Sequence, residues 1–228
     1  MIKLVIGNKN YSSWSLRAWL FLTQSQLAFE EIHLPLFTPR WYDQMSQYGA
    51  AGRVPILLHD GVTVWDSMAI FDYGLAYLDA SVGWPQDRRA GAQARSIAAE
   101  MHAGFLGIRE HLPQNIRASN TVPVSRYPEA TQQQIARVQS LWVQCYADYG
   151  GPWLFGDFSL ADVVYAPVAL RFVTYQTPLA AGAERFVEVV QALPAVQQWA
   201  AAAAAEPEVL PFIDELRSPN PTELPINQ

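Results

Sequence analysis

The chain has 228 residues, of which half are hydrophobic and 16% are charged, so it can bury a core and is not a disordered protein. Its formal net charge of −6 argues against a nucleic-acid partner, because nucleic acids require a basic face. The single cysteine, Cys145, excludes a disulfide framework and a cysteine-rich zinc site, and it suits a reducing cytoplasm. The apolar runs are too short for a signal peptide or a membrane span, so we expect no membrane association.

Strands and helices alternate in the prediction for the first part of the chain. Short apolar runs at 3–7 and 29–34 are typical of buried strands. Apolar residues at helical spacing between them predict a helix that starts near Ser13. The segment 35–51 has no clean period, so we expect it to be a surface loop with short helical turns.

A β-hairpin is predicted next, because an Asp-Gly pair at 60–61 separates the apolar runs 56–58 and 62–65, and Asp-Gly is a strong turn signal. A helix over 67–78 follows. The resulting order, β-α-β and then β-β-α, is that of a thioredoxin-like domain. We place this domain at residues 1–80.

Only helices and loops are predicted beyond a linker at 81–87. They form an all-helical domain at 88–217, which a flexible tail follows at 218–228. The expected helices cover 87–110, 128–149, a stretch from Ser159 to a break at 193–194, and 197–205. A polar loop at 115–127, expected to be mobile, joins the first two.

Val54-Pro55 lies directly before the first hairpin strand, where a proline that cannot donate to a β-ladder is tolerated. A trans bond here would be an ordinary turn, and trans is the commoner state of X-Pro bonds. A cis bond would turn the Val54 N–H and C=O outward, free to pair with a peptide ligand as an added strand. Thioredoxin-like folds place a cis-proline just before this hairpin, so we expect the cis bond.

Asp66-Ser67 stands at the start of the helix that follows the hairpin. Free N–H groups and the positive end of the helix dipole bind carboxylates at such a position, and the Ser67 hydroxyl can donate as well. Plain N-capping explains the same two residues equally well, and the two roles can coexist.

Ser12 and Ser13 stand at the start of the first helix, where thioredoxin-like oxidoreductases keep a Cys-x-x-Cys pair. Because no cysteine is present there, thiol–disulfide exchange by the protein itself is excluded. A hydroxyl at a helix N-terminus can instead donate to a bound thiolate and help to lower the pKa of the thiol. Tyr11 and Ser15 remain alternatives for this role, and simple capping is the structural alternative.

These segments together resemble the glutathione transferase superfamily. Asp66-Ser67-Met68-Ala69-Ile70 resembles the segment by which these enzymes hold the γ-glutamyl carboxylate, and it follows Val54-Pro55 at close range. The Ser-Ser-x-Ser-x-Arg pattern from Ser12 resembles the zeta class, which includes maleylacetoacetate isomerases. In that pattern the first serine activates the thiol.

The chain departs from the zeta pattern at three positions. Trp14 replaces the cysteine of the motif, Leu16 replaces its tryptophan, and Arg53 replaces the glutamine before Val-Pro. These departures weaken the isomerase assignment. Arg53 and Arg40 could each pair with a glycyl carboxylate or lie solvated on the surface, and the surface reading is favoured for Arg40.

Ser159-Leu160-Ala161-Asp162 has the pattern of a capping box, in which the first and last side chains bond each other's backbone N–H. It resembles the folding motif of the helical domain in the same superfamily. We therefore expect a structural role and not a catalytic one.

One face of the first long helix carries Met101, Phe105 and Arg109, with His102 beside them. Such a face could roof a cleft and form a second substrate site together with Trp14, or it could pack against other helices. The four histidines show no metal-ligand spacing, so we expect no metal.

The resemblance implies glutathione as co-substrate, Ser12 or Ser13 as the catalytic hydroxyl, and a glutathione site built from Arg53, Val54, Pro55, Asp66 and Ser67. It further implies a small hydrophobic electrophile, a cytoplasmic homodimer, and either conjugation or glutathione-assisted isomerisation. A non-catalytic carrier with the same fold is the alternative, because fold does not fix function.

Overall fold

The computed structural model describes residues 1–49 and 52–215. A four-stranded sheet with helices forms the N-terminal, thioredoxin-like part, and the remainder of the described chain is helical. The fold class is therefore the one predicted. Residues 50–51 and the tail expected at 218–228 lie outside the described residues.

The sheet has the strand order β2-β1-β3-β4, with β1 at Ile2–Ile6, β2 at Phe29–His33, β3 at Ile56–His59 and β4 at Val62–Trp65. β1 runs parallel to β2 and antiparallel to β3, and the β3–β4 pair is the predicted hairpin. The central strands β1 and β3 are mostly buried, whereas β4 is an exposed edge.

Two helices pack on one another beside this sheet. α1 spans Ser13–Gln24 and α3 spans Ser67–Tyr77, both close to their predicted positions. A Cβ at Gly74 would lie 2.5 Å from the Phe21 ring, so only glycine permits this close approach of α3 to α1. The two helices thus place their N-termini, at Ser12 and Asp66, at fixed positions of the same domain.

A helix, α2, occupies Pro39–Tyr48, where the sequence analysis expected mainly loop. Thr38 caps it by accepting a hydrogen bond from the Trp41 N–H, and Pro39 supplies a first-turn residue whose missing N–H costs nothing there. Trp41 and Met45 bury one stripe of α2 against β1 and β3. The expectation of a loop was wrong because the buried stripe is narrow and the rest of the helix is polar.

The helix predicted over 87–110 is divided into α4 at Arg88–Ala103 and α5 at Leu106–His111. Phe105 adopts φ 55°, in the left-handed region, and so ends the α-helical path. The Arg109 guanidinium donates to the carbonyls of Met101, His102 and Gly104, which the break leaves without helical partners. The single long helix was therefore a wrong prediction.

The predicted helix from Ser159 to 193 is also divided. α6 spans Glu129–Tyr149 as expected, then α7 covers Leu160–Thr174 and α8 covers Glu184–Ala192. α9 at Pro194–Ala205 and the short α10 at Pro211–Asp214 complete the described chain.

The capping box at the start of α7 is present as predicted. Asp162 is fully buried and accepts hydrogen bonds from the Ser159 N–H at 2.8 Å, the Ser159 hydroxyl at 2.9 Å and the Leu154 N–H at 3.0 Å. Nearly every residue of α7 is buried, because this helix packs against α1, α4 and α8. The box therefore fixes the start of the helix at the centre of the molecule.

Candidate functional site

The start of α3 presents a buried hydroxyl with no partner. Asp66 caps the helix, since its carboxylate accepts a hydrogen bond of 2.8 Å from the Met68 N–H. The Ser67 side chain is fully buried, and its Oγ has no hydrogen-bond partner among the described residues. A buried hydroxyl without a partner is costly, and it lies at the positive end of an 11-residue helix. An anionic ligand at this helix start would satisfy it.

The Val54-Pro55 bond is cis, as predicted. Val54 is half-buried, and the described part of the chain contains no backbone hydrogen bond to its N–H or C=O. Arg53 beside it is exposed. Arg40 is also exposed and bonds Gln44 on its own helix, which agrees with the surface reading.

The start of α1 carries a chain of three hydrogen-bonding groups. The Gly7 N–H donates to the Ser15 Oγ at 3.1 Å, the Ser12 hydroxyl donates to the Ser15 Oγ at 2.8 Å, and the Ser15 N–H donates to the Ser12 Oγ at 3.2 Å. Hydroxyl protons rotate, so a ligand that accepts from Ser12 reverses the bond between the two serines: Ser15 then donates to Ser12, and the Ser12 proton is directed to the ligand. Ser12 can then act as a donor to a ligand, and the fully buried Ser15 supports it.

Ser13 and Tyr11 are engaged by other groups. The Ser13 Oγ accepts a hydrogen bond of 3.1 Å from the Arg171 guanidinium on α7. The Tyr11 hydroxyl donates to Asp214 at 2.6 Å and accepts from Arg117 at 2.8 Å. Burial and the bond to Asp214 raise the pKa of Tyr11, so its proton is held more firmly than usual. Among the alternatives, the geometry favours Ser12.

Trp14, the next residue of the motif, lies between two arginines. The guanidinium carbons of Arg17 and Arg109 are each 4.6 Å from the centre of its ring, and the His102 ring packs edge-on at 5.1 Å. Trp14, His102 and Arg109 are each partly exposed. Because Trp14 directly follows Ser12 and Ser13 in the chain, this aromatic and cationic group adjoins the two serines.

The helical residues predicted to line the second substrate site differ in their surroundings. Met101 is fully buried and Phe105 is 7% exposed, and both belong to the main hydrophobic core. Arg109 reaches Trp14, and burial lowers its pKa to about 10. Because α4 and α5 are separate helices, these three side chains do not share the single helical face that was predicted.

His102 connects the helical part of the chain to the start of α3. Its Nε2 lies 3.3 Å from an Asp66 carboxylate oxygen, and its Nδ1 is buried without a partner among the described residues. Burial lowers the pKa of His102, while Asp66 acts in the opposite direction. A neutral imidazole can donate one hydrogen bond to Asp66 and hold that carboxylate at the helix start.

Cys145 is buried in α6, and burial raises the pKa of its thiol to about 12. Residues 1–49 and 52–215 contain no group of three histidine, cysteine or acidic side chains placed to hold a metal ion. Within the same residues, no helix is long and apolar enough to cross a membrane.

Arg17 and Arg171 were not assigned a role from the sequence, although both lie in the site. Each is a single arginine in an otherwise largely apolar helix, and each is almost fully buried. A charged residue on a buried helical face is a signal that could have identified them, since arginine is almost never fully buried without a partner.

The fold defines a class of protein in which a thioredoxin-like N-terminal domain is followed by a helical C-terminal domain. The sequence pattern of the glutathione S-transferase N-terminal domain matches residues 11–74, and that of the C-terminal domain matches residues 92–202. The chain belongs to the glutathione transferase superfamily. The finer zeta-class assignment has no support beyond the motif at Ser12.

Among curated proteins, Protein IN2-1 of Zea mays is 26% identical over 161 residues, which are 71% of this chain and 58% of that protein. This chain thus spans less than two thirds of its relative. A glutathione transferase homologue from Burkholderia, solved with bound glutathione, superposes with a TM-score of 0.66 at 24% identity over 89% of this chain and 97% of its own.

A second structure solved with bound glutathione, from Methylobacillus flagellatus, gives a TM-score of 0.65 at 17% identity over 87% of this chain and 98% of its own. Glutathione transferase F7 from Populus trichocarpa gives a TM-score of 0.66 at 20% identity, over 89% of this chain and 99% of its own. At these identities the likeness concerns the fold.

Proposed function

We propose that this protein is a glutathione transferase that binds glutathione along Val54 and the start of α3 and activates its thiol at Ser12. The observation that carries the proposal is the fully buried Ser67 hydroxyl, which has no partner among the described residues and lies at a helix N-terminus. The two superposed structures with bound glutathione support it.

The γ-glutamyl end and the cysteinyl backbone of glutathione each have a chemically suitable partner in this arrangement. The γ-glutamyl carboxylate accepts hydrogen bonds from the Ser67 hydroxyl and from the free N–H groups of α3. The Asp66 carboxylate is 42% exposed and can bind the γ-glutamyl ammonium group. The cysteinyl backbone pairs with the N–H and C=O of Val54, as an added strand would. The proposal puts the cysteinyl sulfur at the start of α1.

The proposed chemistry begins with loss of the thiol proton to solvent. The Ser12 hydroxyl and the N-terminus of α1 stabilise the thiolate that remains. The sulfur then donates an electron pair to an electrophilic carbon, so that an S–C bond forms. Either a leaving group departs with its bonding pair, or a double bond is opened and the carbon anion takes a proton. Glutathione-assisted isomerisation requires the same thiolate.

A cytoplasmic homodimer is part of the proposal. The edge strand β4 and helix α3 each expose large apolar side chains. These are Val62, Trp65, Leu75 and Tyr77, with exposures of 45%, 55%, 38% and 71%. A second copy of the chain would cover such an edge.

Titration of the bound thiol tests the catalytic step. The ultraviolet absorbance of thiolate, followed against pH in the complex with glutathione, should show a pKa at least one unit below the usual value of about 8.5 for cysteine. Ser12→Ala should move this titration upward and slow conjugation of 1-chloro-2,4-dinitrobenzene at neutral pH.

Ser13→Ala and Tyr11→Phe are the matched controls, and both should leave the titration in place. If one of them moves it and Ser12→Ala does not, the activating role belongs to that residue. If wild-type protein binds glutathione without any lowering of the thiol pKa, the protein is a carrier and the enzymatic proposal is wrong.

A further inference from the structure

Three arginines converge beside the proposed thiol site. Arg17 on α1 is 2% exposed and Arg171 on α7 is 4% exposed, while Arg109 on α5 is partly exposed. Arg17 and Arg109 both lie over Trp14, and Arg171 donates to the Ser13 hydroxyl. We call Arg17, Arg109 and Arg171 the arginine cluster.

No carboxylate neutralises this cluster within the described part of the chain. None of the ion pairs there includes any of its three members. Asp66 is the acidic group that acts on Arg17 through space, and its carboxylate contacts His102. Arg17 Nη1 and Arg171 Nε are buried and have no hydrogen-bond partner among the described residues.

The arrangement opposes folding in two ways. Burial first, and then the neighbouring arginines, lower the pKa of Arg17 far below its usual value and that of Arg171 to about 9. Two guanidinium nitrogens are left without acceptors, which carries the cost of desolvation without the gain of a bond. Packing alone does not account for three such charges, because apolar residues of similar size would be at least as stable.

We propose that the arginine cluster binds a carboxylate of the electrophilic substrate, immediately beside the glutathione sulfur. This inference rests on the proposed glutathione transferase function and narrows its substrate to electrophiles that carry a carboxylate. The planar guanidinium fork matches a carboxylate with two parallel hydrogen bonds. Trp14 offers an apolar ring for the body of the same molecule.

The position of the cluster separates this carboxylate from those of glutathione. The proposed function puts the γ-glutamyl carboxylate at the start of α3, where the Ser67 hydroxyl has no hydrogen-bond partner among the described residues. Arg171 of the cluster bonds Ser13, the residue after Ser12, so the cluster lies at the start of α1, where the proposed function places the sulfur. The partly exposed Trp14, His102 and Arg109 leave that side of the group accessible.

A pair of glutathione derivatives tests the proposal without turnover. S-(carboxymethyl)glutathione carries a carboxylate next to the sulfur, and S-(carbamoylmethyl)glutathione replaces it with a neutral amide of nearly the same shape. Calorimetry with the full chain should show the carboxymethyl derivative binding at least tenfold more tightly. Arg17→Met and Arg171→Met should each reduce this preference to about twofold or less.

Arg185→Met is the matched control, because Arg185 lies over Tyr146 on the far part of the helical domain and should not affect the preference. Arg171→Lys provides a second variant that keeps the charge and loses the fork, and it should retain only part of the preference. Thermal melts of all four variants establish that they are folded.

Equal affinity of wild-type protein for the two derivatives would overturn the carboxylate proposal and leave the glutathione site intact. Absence of binding by both derivatives and by glutathione itself would instead overturn the proposed function. If Arg171→Met shifts the titration of the bound thiol and leaves the preference unchanged, the cluster stabilises the thiolate and the carboxylate proposal is wrong.

Discussion

The helices α3 and α7 both begin with a serine and an aspartate, but the hydrogen bonds of these residues differ between the two helices. At α7, Ser159 and Asp162 satisfy each other, and the carboxylate also binds the Leu154 N–H. At α3, Asp66 caps the helix while the buried Ser67 hydroxyl has no partner among the described residues. A closed set of hydrogen bonds indicates a structural cap, and an open one indicates a site that a ligand completes.

The comparison explains why sequence alone could not separate capping from binding at these positions. Serine and aspartate favour a helix start whether or not a ligand is present. The distinguishing feature is the partner of each polar atom, and that depends on the rest of the fold.

The largest predicted effect concerns the start of α7, where titration of Asp162 should make the stability of the protein depend on pH. Burial raises the pKa of Asp162 to about 6 from 3.8, although four hydrogen bonds, from Leu154, Ser159 and Asp162 itself, act in the opposite direction. Between these values the folded protein holds a proton that the unfolded chain has lost. The stabilisation is therefore complete below the unfolded pKa and is lost as the pH rises through the folded pKa.

At about 1.4 kcal/mol per unit, the free energy of unfolding should fall by about 2 kcal/mol from pH 4 to pH 7 relative to Asp162→Asn. Urea unfolding of both proteins across this range measures the difference. Parallel pH profiles for the two proteins would show that Asp162 has the same pKa in the folded and unfolded chains, which would contradict the raised value.

A smaller effect separates the two serines by stability. Ser159→Ala removes one donor to a buried carboxylate and should lower the free energy of unfolding by about 1 kcal/mol, a typical value for a lost cap. Ser67→Ala removes a hydroxyl without a partner, so it should change stability by less than about 0.5 kcal/mol or raise it. Without glutathione, an equally destabilised Ser67→Ala protein would mean that Ser67 has a structural partner.

Local signals predicted much of the fold. The Asp-Gly hairpin turn, the cap of α1 at Ser12 and the capping box at Ser159 each depend on residues a few positions apart, and each is present. α2 was missed although Thr38 and Pro39 are recognisable start signals. The break at Phe105 was missed because a side chain a full turn later, Arg109, binds the carbonyls that the break exposes.

The site was predicted less completely than the fold. Val54, Asp66 and Ser67 could be proposed from the sequence because their chemistry lies in the local backbone and the helix starts, and their role in binding stays a prediction. The arginine cluster was not, because its members come from α1, α5 and α7 and meet only in the folded chain. The role of Ser15 in supporting Ser12 also depends on a backbone N–H from β1's end, at Gly7.

Calorimetric titration of glutathione tests the central claim most directly, namely that the open helix start of α3 is a glutathione site. Wild-type protein, Ser67→Ala and Ser159→Ala are compared at a temperature where all three are folded. Ser67→Ala should weaken binding by about 1–3 kcal/mol, the scale for a hydrogen bond to a charged group, while Ser159→Ala should bind as wild type does. Unchanged affinity in Ser67→Ala, or an equal loss in Ser159→Ala, would contradict the account.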